Sequence, residues 1–515
     1  MLTKKLISLV LLAAVFSGCA VNPVTGRREL SFVPEATELQ LGREHYAPTR
    51  QMQGGDYNAV PEINAYVSEV GQRLAAVSDR PLPYEFTVIN DSTPNAWALP
   101  GGKIAINRGL LTEMNSEAEL AAVLGHEIVH AAARHSAQRL ERGLLLQGAV
   151  LAAGLFSRNS EYAGLAVGGA AIGAGLITQK YSREAEREAD YFGMLYMNRA
   201  GYDPQAAVEL QETFVRLSEG RREDWLSGLF ASHPPSRERV EANRRTAAAL
   251  GPGGEIGRER YQQQMAPLLA ALEGYEAHDE GRKALEAGQL DRALRLAEQA
   301  LAIEPREALF HALRGDVRFR QGRYQDAVTN YDRAIERNDG YFHFYLQRGL
   351  ALQKLDQPDR AERDLKRSAQ LLPTAPAMNA LGQLNLARGN REGAMQYFAA
   401  AAESASPSGQ EAAAALARLD LPNNPQRFVE VRLGLDRRNN LLVEVQNRAA
   451  LPVRDVQIAV QLADASGRLR RVPVRLAGPI APQQSVRTTT GIGPFADTRE
   501  LRNVQAQVIE ARIAE

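Results

Sequence analysis

A period of about 34 residues in the second half of the chain most limits what this sequence can fold into. Glycine recurs at spacings of 34, 34 and 33 residues, and an alanine follows each glycine 12 residues later. The positions are Gly281, Gly315, Gly349 and Gly382, with Ala293, Ala327, Ala361 and Ala394. Small residues at fixed places let paired helices pack closely. The period predicts a helical solenoid over residues 270–405, with a concave groove for a peptide or a partner.

The first half of the chain contains a stretch with metal-binding spacing, Asn115–His135. Ser116 and Glu119 form a capping box ahead of helically spaced apolar residues, so we expect one helix. His126 and His130 project from one face of it and can hold a single metal ion. Glu127, between them, is placed to take a proton from a water on that metal, which zinc acidifies to a pKa of about 7. The alternative is a helix with two surface histidines.

A later charged helix offers the remaining groups of such a site. Glu186 and Asp190 are spaced i and i+4 and share a face. We predict that Glu186 is the third metal ligand and that Asp190 accepts the N–H of a ligating histidine, which fixes that ring. The alternative is a solvated, charged helix face.

A stiff loop follows, in which His233 precedes two prolines. His233 could reach the metal or a developing oxyanion. Arg239 starts the next helix and is expected to pair with a buried carboxylate.

Two short apolar strands joined by Pro100-Gly101-Gly102 precede the metal-binding helix. A strand in this place suits backbone pairing with an extended peptide. We therefore expect substrate contacts along the second strand. Its residues are Lys103, Ile104, Ala105, Ile106 and Asn107. The alternative is an internal hairpin with both edges used.

The N-terminus has the features of a secretory signal. Lys4 and Lys5 precede an apolar run, and Ser17-Gly18 precede Cys19, the single cysteine. This resembles a bacterial lipobox, although Phe16 stands where leucine is usual. We expect a signal peptide over 1–18, lipidation at Cys19, and a tether with a first helix over 19–45. The alternative is an ordinary cleaved signal with an incidental cysteine.

Two further segments are apolar but too short to span a bilayer, Gly143–Phe156 and Tyr162–Ile177. They predict a helical hairpin that lies on a membrane, over the active site or on the protein's core. Lysine plus arginine equal aspartate plus glutamate at 61 each. Without a basic bias, we expect no nucleic-acid partner.

Residues 426–515 alternate apolar and polar positions over six segments, with Asn, Gly and Pro between them. This pattern predicts a small β-sandwich. An Ig-like interaction module is the default interpretation, and a spacer is the alternative.

Five motifs together resemble the HtpX/CAAX-prenyl-protease superfamily of gluzincin metallopeptidases over roughly residues 20–245. They are CAVNPVTGRREL, NAWALPGGKIAINRGLL, EAELAAVLGHEIVHAAARH, SREAEREAD and HPPSRER. The resemblance implies a zinc metallopeptidase domain over 46–255 that holds one Zn²⁺ per chain. By position, His126, His130 and Glu186 resemble the zinc ligands, and Glu127 the general base.

The same resemblance extends to the surrounding groups. Asp190 resembles the carboxylate behind a ligating histidine, and His233 matches an HP motif as a fourth ligand or a transition-state donor. Trp97 is a mild departure, since relatives more often have phenylalanine there.

A gluzincin followed by tetratricopeptide repeats is similar to BepA-type periplasmic proteases. The expected fold is multidomain: a mainly α zincin-type metallopeptidase domain with a small β-sheet, an α-helical tetratricopeptide solenoid and a C-terminal β-sandwich. The resemblance implies a zinc endopeptidase in outer-membrane protein assembly and quality control. Its substrates would be unfolded or misassembled outer-membrane proteins, and its repeats would contact the assembly machinery. The lipobox adds anchoring to the periplasmic face of the outer membrane in a Gram-negative bacterium. The alternative is a chaperone-like scaffold with a latent peptidase site.

Overall fold

The computed structural model describes residues 19–139, 141, 180–220, 228–463, 468–496 and 498–514. The predicted signal peptide and the predicted hairpin of 143–177 lie outside these residues, as does the side chain of Cys19. The chain forms two compact units that divide between Leu372 and Pro373. Within the described ranges, no helix has the length and apolar character needed to cross a membrane.

The first unit begins with a domain of helices around a small sheet. Its helices are α1 (Glu35–Met52), α2 (Pro61–Ala75), α3 (Arg108–Leu111), α4 (Glu117–Ala132), α5 (Arg183–Arg199), α6 (Gln205–Gly220), α7 (Leu229–Ser232) and α8 (Arg237–Leu250). Its strands are β1 (Cys19–Val21), β2 (Arg28–Leu30), β3 (Glu85–Ile89), β4 (Ala96–Leu99) and β5 (Lys103–Asn107). The predicted metal-binding helix is α4, and it starts as expected, because Ser116 accepts a hydrogen bond from the backbone N–H of Glu119.

The core of this domain lies between α2, α4 and the sheet. The apolar positions of α4 that recur at helical spacing are fully buried, as are those of α2 that face it. They include Val67, Leu74, Leu120, Leu124 and Ile128. Their burial fixes the rotation of α4 about its axis, and with it the direction in which His126 and His130 point.

The three-stranded sheet corrects the prediction for Lys103, Ile104, Ala105, Ile106 and Asn107. These residues form β5, which lies in the centre, parallel to β3 on one side and antiparallel to β4 on the other. Both edges of β5 are therefore hydrogen-bonded within the protein, and no peptide can add there. The prediction of substrate pairing along β5 was wrong, and the internal hairpin is the observed arrangement. The outer strand β4 packs against α4.

The segment after Cys19, expected to be a tether, is docked on the domain. Strands β1 and β2 form an antiparallel hairpin. Asn22 donates to the backbone oxygen of Ala133 at 3.0 Å, and Arg134 donates to that of Val33 at 2.6 Å. Val24 is buried in the domain core. These contacts clamp the segment to the C-terminal end of α4, so it belongs to the domain and is not a free tether.

The 34-residue period forms paired antiparallel helices, as predicted. Helix α9 (Arg258–Ala270) precedes them. In the first unit the pairs are α10 (Leu272–Glu286) with α11 (Leu290–Ile303), α12 (Ala308–Arg320) with α13 (Tyr324–Arg337), and α14 (Phe342–Lys354) with α15 (Pro358–Leu371). A Cβ on Gly281 or on Gly315 would lie 2.7 Å from the side chain of Leu313 or Tyr331, respectively. The repeated glycines therefore stand where neighbouring helices leave no room for a side chain.

The first repeats pack directly on the preceding domain. Gln51, in α1, donates to the backbone oxygen of Gly340 at 2.8 Å and accepts from the backbone N–H of Phe342 at 2.9 Å. The buried guanidinium of Arg108 lies 3.4 Å from the ring centre of Tyr275. Part of the repeat surface is thus an internal interface.

The second unit contains three helices and a six-stranded β-sandwich within its described residues. Its helices are α16 (Ala375–Ala387), α17 (Arg391–Ala401) and α18 (Pro407–Asp420). Its strands are β6 (Val429–Leu435), β7 (Leu441–Asn447), β8 (Val453–Ala463), β9 (Leu469–Leu476), β10 (Ser485–Thr489) and β11 (Gln505–Ile513). Two antiparallel sheets, ordered β10-β7-β6 and β11-β8-β9, enclose an apolar core of alternating residues. This confirms the predicted sandwich.

Candidate metal centre

Four side chains from two helices and one loop converge on one point. The ligand atoms of His126, His130, Glu186 and His233 all lie within 4.8 Å of one another. His126 Nε2 is 3.0 Å from His130 Nε2 and 3.3 Å from His233 Nδ1. Tetrahedral zinc with bonds of about 2.0–2.1 Å separates its ligand nitrogens by about 3.3 Å, so this spacing suits the ion.

Two further observations indicate that the cluster is built for a cation. Glu127 Oε2 and His233 Nε2 are buried but have no hydrogen-bond partner among the described residues. Buried polar atoms are nearly always paired, so unpaired ones mark a place where another group belongs. Nitrogen and carboxylate donors are the set that zinc prefers. The residues present therefore fit a zinc ion.

A close helix crossing brings the carboxylates to the histidines. Helices α4 and α5 cross at Gly125 and Gly193, and a Cβ on Gly193 would lie 3.0 Å from the backbone nitrogen of His126. Only glycine permits this approach. As a result Glu186 and Asp190, on the face of α5 that meets α4, reach the rings of the two predicted ligands.

Asp190 lies against the ring of His126, the ring that it is predicted to orient. Its Oδ1 lies 3.0 Å from His126 Nδ1, and Arg239 holds the same carboxylate through Nε at 2.7 Å and Nη2 at 2.6 Å. A carboxylate only accepts, so the proton is on Nδ1 and the lone pair of His126 Nε2 faces the cluster. Burial opposes ionisation of Asp190, but the charge and hydrogen bonds of Arg239 outweigh it and hold its pKa below the usual value.

His130 is fixed by a residue that sequence reasoning missed. His130 Nδ1 lies 2.9 Å from Nδ1 of His135, and His135 Nε2 lies 3.2 Å from Glu188 Oε2. For His130 Nε2 to face the metal, its Nδ1 must donate to His135, which must in turn donate to Glu188. Helical spacing could not predict this hydrogen-bonded relay, because helix α4 ends at Ala132. Beyond that end the backbone turns at Arg134, which has a φ of 62°.

The sequence analysis also assigned no role to Tyr181, which contacts the cluster. Its ring stacks on His130 with centres 3.8 Å apart and planes 21° apart. Its hydroxyl lies 3.0 Å from that of Ser136, and its backbone N–H donates to Ser232 at 3.3 Å. Tyr181 therefore closes one side of the cluster and connects it to the loop of His233. The only signal in the sequence was its position directly before α5.

The two glutamates at the centre differ in their electrostatics. Burial raises the pKa of Glu127 above its usual value, which makes this carboxylate a stronger proton acceptor. Burial acts the same way on Glu186, but the charge of His233 and hydrogen bonds from His130 and His233 outweigh it and hold its pKa well below the usual value. These opposite shifts suit the predicted roles of Glu186 as an ionised ligand and of Glu127 as a proton acceptor. Negative charge from Glu186 and Glu127 raises the pKa of His233 despite its burial.

The residues around this centre are similar to a known family of peptidases. Residues 61–247 match the model of peptidase family M48, and residues 278–341 and 346–410 match tetratricopeptide repeats. The chain therefore carries a peptidase domain of family M48 followed by tetratricopeptide repeats, as the sequence motifs predicted.

Particular relatives include enzymes from mitochondria and from bacteria. The mitochondrial metalloendopeptidase OMA1 of Schizosaccharomyces pombe is 35% identical over 224 residues, covering 42% of this chain and 63% of its own. A putative beta-barrel assembly-enhancing protease of Vibrio cholerae is 32% identical over 224 residues, covering 42% of this chain and 46% of its own.

A longer match is the beta-barrel assembly-enhancing protease of Yersinia pestis, 27% identical over 415 residues, which covers 74% of this chain and 84% of its own. The first two relatives are each matched over less than two thirds of their length.

Proposed function

We propose that this protein is a zinc-dependent endopeptidase that hydrolyses peptide bonds in proteins. The observation that carries the proposal is the convergence of His126, His130 and Glu186 with Glu127 beside them. Side chains suited to act as a base and as three ligands lie together with side chains that hold them in place. A protein that only binds partners has no use for this combination.

The residues of the chain divide the work of hydrolysis. His126, His130 and Glu186 would hold zinc, which when bound supplies a Lewis acid for the scissile carbonyl and for water. Glu127, with its raised pKa, accepts the proton of the attacking water and passes it to the leaving nitrogen. In this scheme His233 is not a fourth metal ligand but donates a hydrogen bond to the developing oxyanion.

An extended substrate needs a free strand edge near this centre, and β5 does not offer one. The outer strand β4 packs against α4 and has a β-partner on one side only among the described residues. We therefore assign substrate pairing to Ala96–Leu99, whose residues are at most 2% exposed in this structure, so that this edge must be uncovered before a peptide can pair with it. Main-chain pairing of this kind selects extended, unfolded segments over folded ones.

The cellular setting is proposed from the sequence and the relatives together. Two of the relatives are named beta-barrel assembly-enhancing proteases, which favours a role in outer-membrane protein assembly and quality control in the periplasm. The lipobox-like sequence at Cys19 favours a lipid anchor in the outer membrane. Unfolded or misassembled outer-membrane proteins are the proposed substrates, with the repeats contacting the assembly machinery.

The test is a Glu127→Gln variant of the full protein, assayed with a fluorescent unfolded protein such as labelled casein. We expect cleavage to be lost while one zinc per chain is retained, because glutamine keeps the shape but accepts no proton. Glu212→Gln, on the same domain and half-exposed beside Arg244, is the control and should cleave normally. Undiminished cleavage by Glu127→Gln would show that the base is another group.

A second candidate function is a chaperone-like scaffold with a latent peptidase site. It is favoured by His233, whose Nδ1 lies in the ligand cluster and would occupy the position that a catalytic zinc keeps open. Under this reading the His233→Ala variant should cleave faster than the natural protein. Unchanged or slower cleavage would count against latency.

A further inference from the structure

The C-terminal β-sandwich has no part in the chemistry described so far, and its charge differs from that of the rest of the chain. Residues 426–515 contain fourteen arginines and no lysine, against nine aspartates and glutamates. Their formal net charge is +5, and because the full chain is neutral, residues 1–425 carry −5. A positive module on an otherwise negative chain indicates that this module meets an anionic partner.

The arginines without an acidic partner are concentrated on one edge strand. Those in the other strands of the sandwich each lie within 3.7 Å of a carboxylate oxygen, for example Arg432 beside Glu430 and Arg487 beside Glu444. Strand β9, at one edge of its sheet, is different. It contains three exposed arginines that form no ion pair with any residue the structure describes, Arg470, Arg471 and Arg475.

An exposed apolar side chain lies beside these cations. Leu469 is 79% exposed, the highest value among the large apolar side chains of the described residues. Alternation along the strand places Leu469, Arg471 and Arg475 on one face, with the two arginines about 13 Å apart. Cations spread along a strand next to an apolar side chain suit the surface of a bilayer, where phosphates are spread over a plane and the headgroup boundary accepts an apolar group.

The backbone of β9 is less suited to binding than its side chains. Pro473 lies in the middle of the strand and has no N–H to give to a neighbouring strand. Prolines of this kind are found in edge strands, where they hinder the addition of another strand. An acidic peptide that pairs with this edge is therefore a poorer fit than a partner that contacts the side chains alone.

We propose that β9 docks the sandwich on an anionic phospholipid bilayer, with Arg470, Arg471 and Arg475 on lipid phosphates and Leu469 in the headgroup layer. The guanidinium group suits this role because its planar fork of N–H donors matches the oxygens of a phosphate. The proposed lipid anchor at Cys19 would bring such a bilayer to the chain. The docking itself requires neither the anchor nor the proposed peptidase activity.

The test is sedimentation of residues 20–515 with lipid vesicles. This chain lacks the apolar signal sequence and the lipid, so neither contributes to binding. We expect it to sediment with phosphatidylcholine vesicles that contain about one third phosphatidylglycerol and to stay in solution with phosphatidylcholine alone. Raising the salt to about 0.5 M, where the screening length falls below about 5 Å, should release it.

A triple variant tests whether β9 is the contact. Replacing Arg470, Arg471 and Arg475 by glutamine should weaken vesicle binding about 100-fold, since each arginine near an anionic surface contributes about fivefold. The control replaces three arginines of the other sheet by glutamine and removes the same charge, so its binding should change by less than about threefold. The control positions are Arg432, Arg448 and Arg487.

Leu469→Ser tests the apolar contact separately and should weaken binding up to about tenfold, because the side chain no longer leaves water. All variants change exposed side chains, and circular dichroism checks that they fold. If the triple variant does not fold, the salt dependence of the natural sequence and Leu469→Ser decide the question.

Three results would overturn this proposal. The first is a natural sequence that does not sediment with the anionic vesicles, which would leave an acidic protein as the partner that the charge fits. The second is a β9 triple variant that binds as the natural sequence does. The third is an equal loss of binding in the triple variant and in the control, which would reduce the effect to net charge. None of these results bears on the endopeptidase, which the Glu127→Gln variant tests on a soluble substrate.

Discussion

Replacing Asp190 by asparagine tests whether the buried carboxylate holds His126 for the metal. Asparagine has nearly the same shape as aspartate but only one acceptor oxygen. Its NH₂ group would replace the other oxygen and face the N–H donors of His126 or Arg239. Arg239 would then lose at least one of its two contacts with residue 190, at 2.6 and 2.7 Å, and keep its Nη1 contacts with Glu186 at 2.9 Å and with the backbone oxygen of Pro234 at 3.2 Å. The guanidinium is about nine-tenths buried, so little water can replace the lost acceptor.

The expected size of the effect follows from that geometry. Breaking a buried ion pair by removing one partner costs about 3–5 kcal/mol, and the remaining contact with Glu186 places the cost at the lower end, about 3 kcal/mol. Because His126 also loses its fixed acceptor, zinc affinity should fall about 10–100-fold, as is typical when the group behind a ligating histidine is removed.

Both quantities can be measured on the full protein. The two tryptophans, Trp97 and Trp225, fall within the residues matched by the peptidase family, so urea unfolding followed by their fluorescence reports on this domain. Competition with a chromogenic chelator gives zinc affinity. Asp79→Asn is the matched control, since Asp79 pairs with Arg199 at 2.9 Å on the surface of the same domain. We expect it to cost less than about 1 kcal/mol and to leave zinc binding unchanged.

The result that would refute the reasoning is an Asp190→Asn variant that unfolds and binds zinc like the natural protein. A loss of stability without a loss of zinc affinity would reduce Asp190 to a structural partner of Arg239. Only the joint loss supports the role assigned to it.

Three further predictions concern other parts of the first unit. His135→Ala removes the acceptor of His130 and should weaken zinc binding about 10–100-fold by the same chelator competition, whereas His278→Ala, in the repeats, should not. Chelation of zinc should lower the midpoint of tryptophan-detected unfolding, because an ion present at 1,000 times its Kd contributes about 4 kcal/mol; an unchanged midpoint would mean no structural zinc. Burial, with Arg337, Arg314 and Arg333 nearby, lowers the pKa of His311 to about 4. As the pH falls, His311 is therefore protonated in the unfolded chain before it is protonated in the folded one. Its contribution is complete above pH 6.5 and is lost towards pH 4, at most about 3 kcal/mol, and His311→Gln should flatten that part of a circular-dichroism stability curve.

Most features that were predicted correctly depend only on the spacing of residues along one helix or one repeat. His126 and His130 share a helix, as do Glu186 and Asp190, and the i, i+4 rule needs only that the helix forms. The repeats were predictable for a similar reason, since Gly281 and its equivalents pack against the adjacent helix.

Features that depend on tertiary arrangement could not be predicted from the sequence. The order of strands along the chain does not say which edges are used, so β5 was taken for a free edge when β3 and β4 flank it. His135 lies beyond the end of α4, where helical periodicity no longer applies. The docking of Asn22 and Val24 depends on a surface formed by residues more than a hundred positions away.

The N-terminal hairpin of β1 and β2, held to the end of α4, limits how far Cys19 can lie from the metal centre. A free segment of the 15 residues from Cys19 to Val33 could extend about 50 Å. Instead Asn22 holds the end of α4, and Arg27 pairs with Glu188, the acceptor of His135, at 3.1 Å. If Cys19 carries a lipid, the proposed catalytic centre would therefore be held at a fixed height above the bilayer, and only substrate chains that come to that height would be cut.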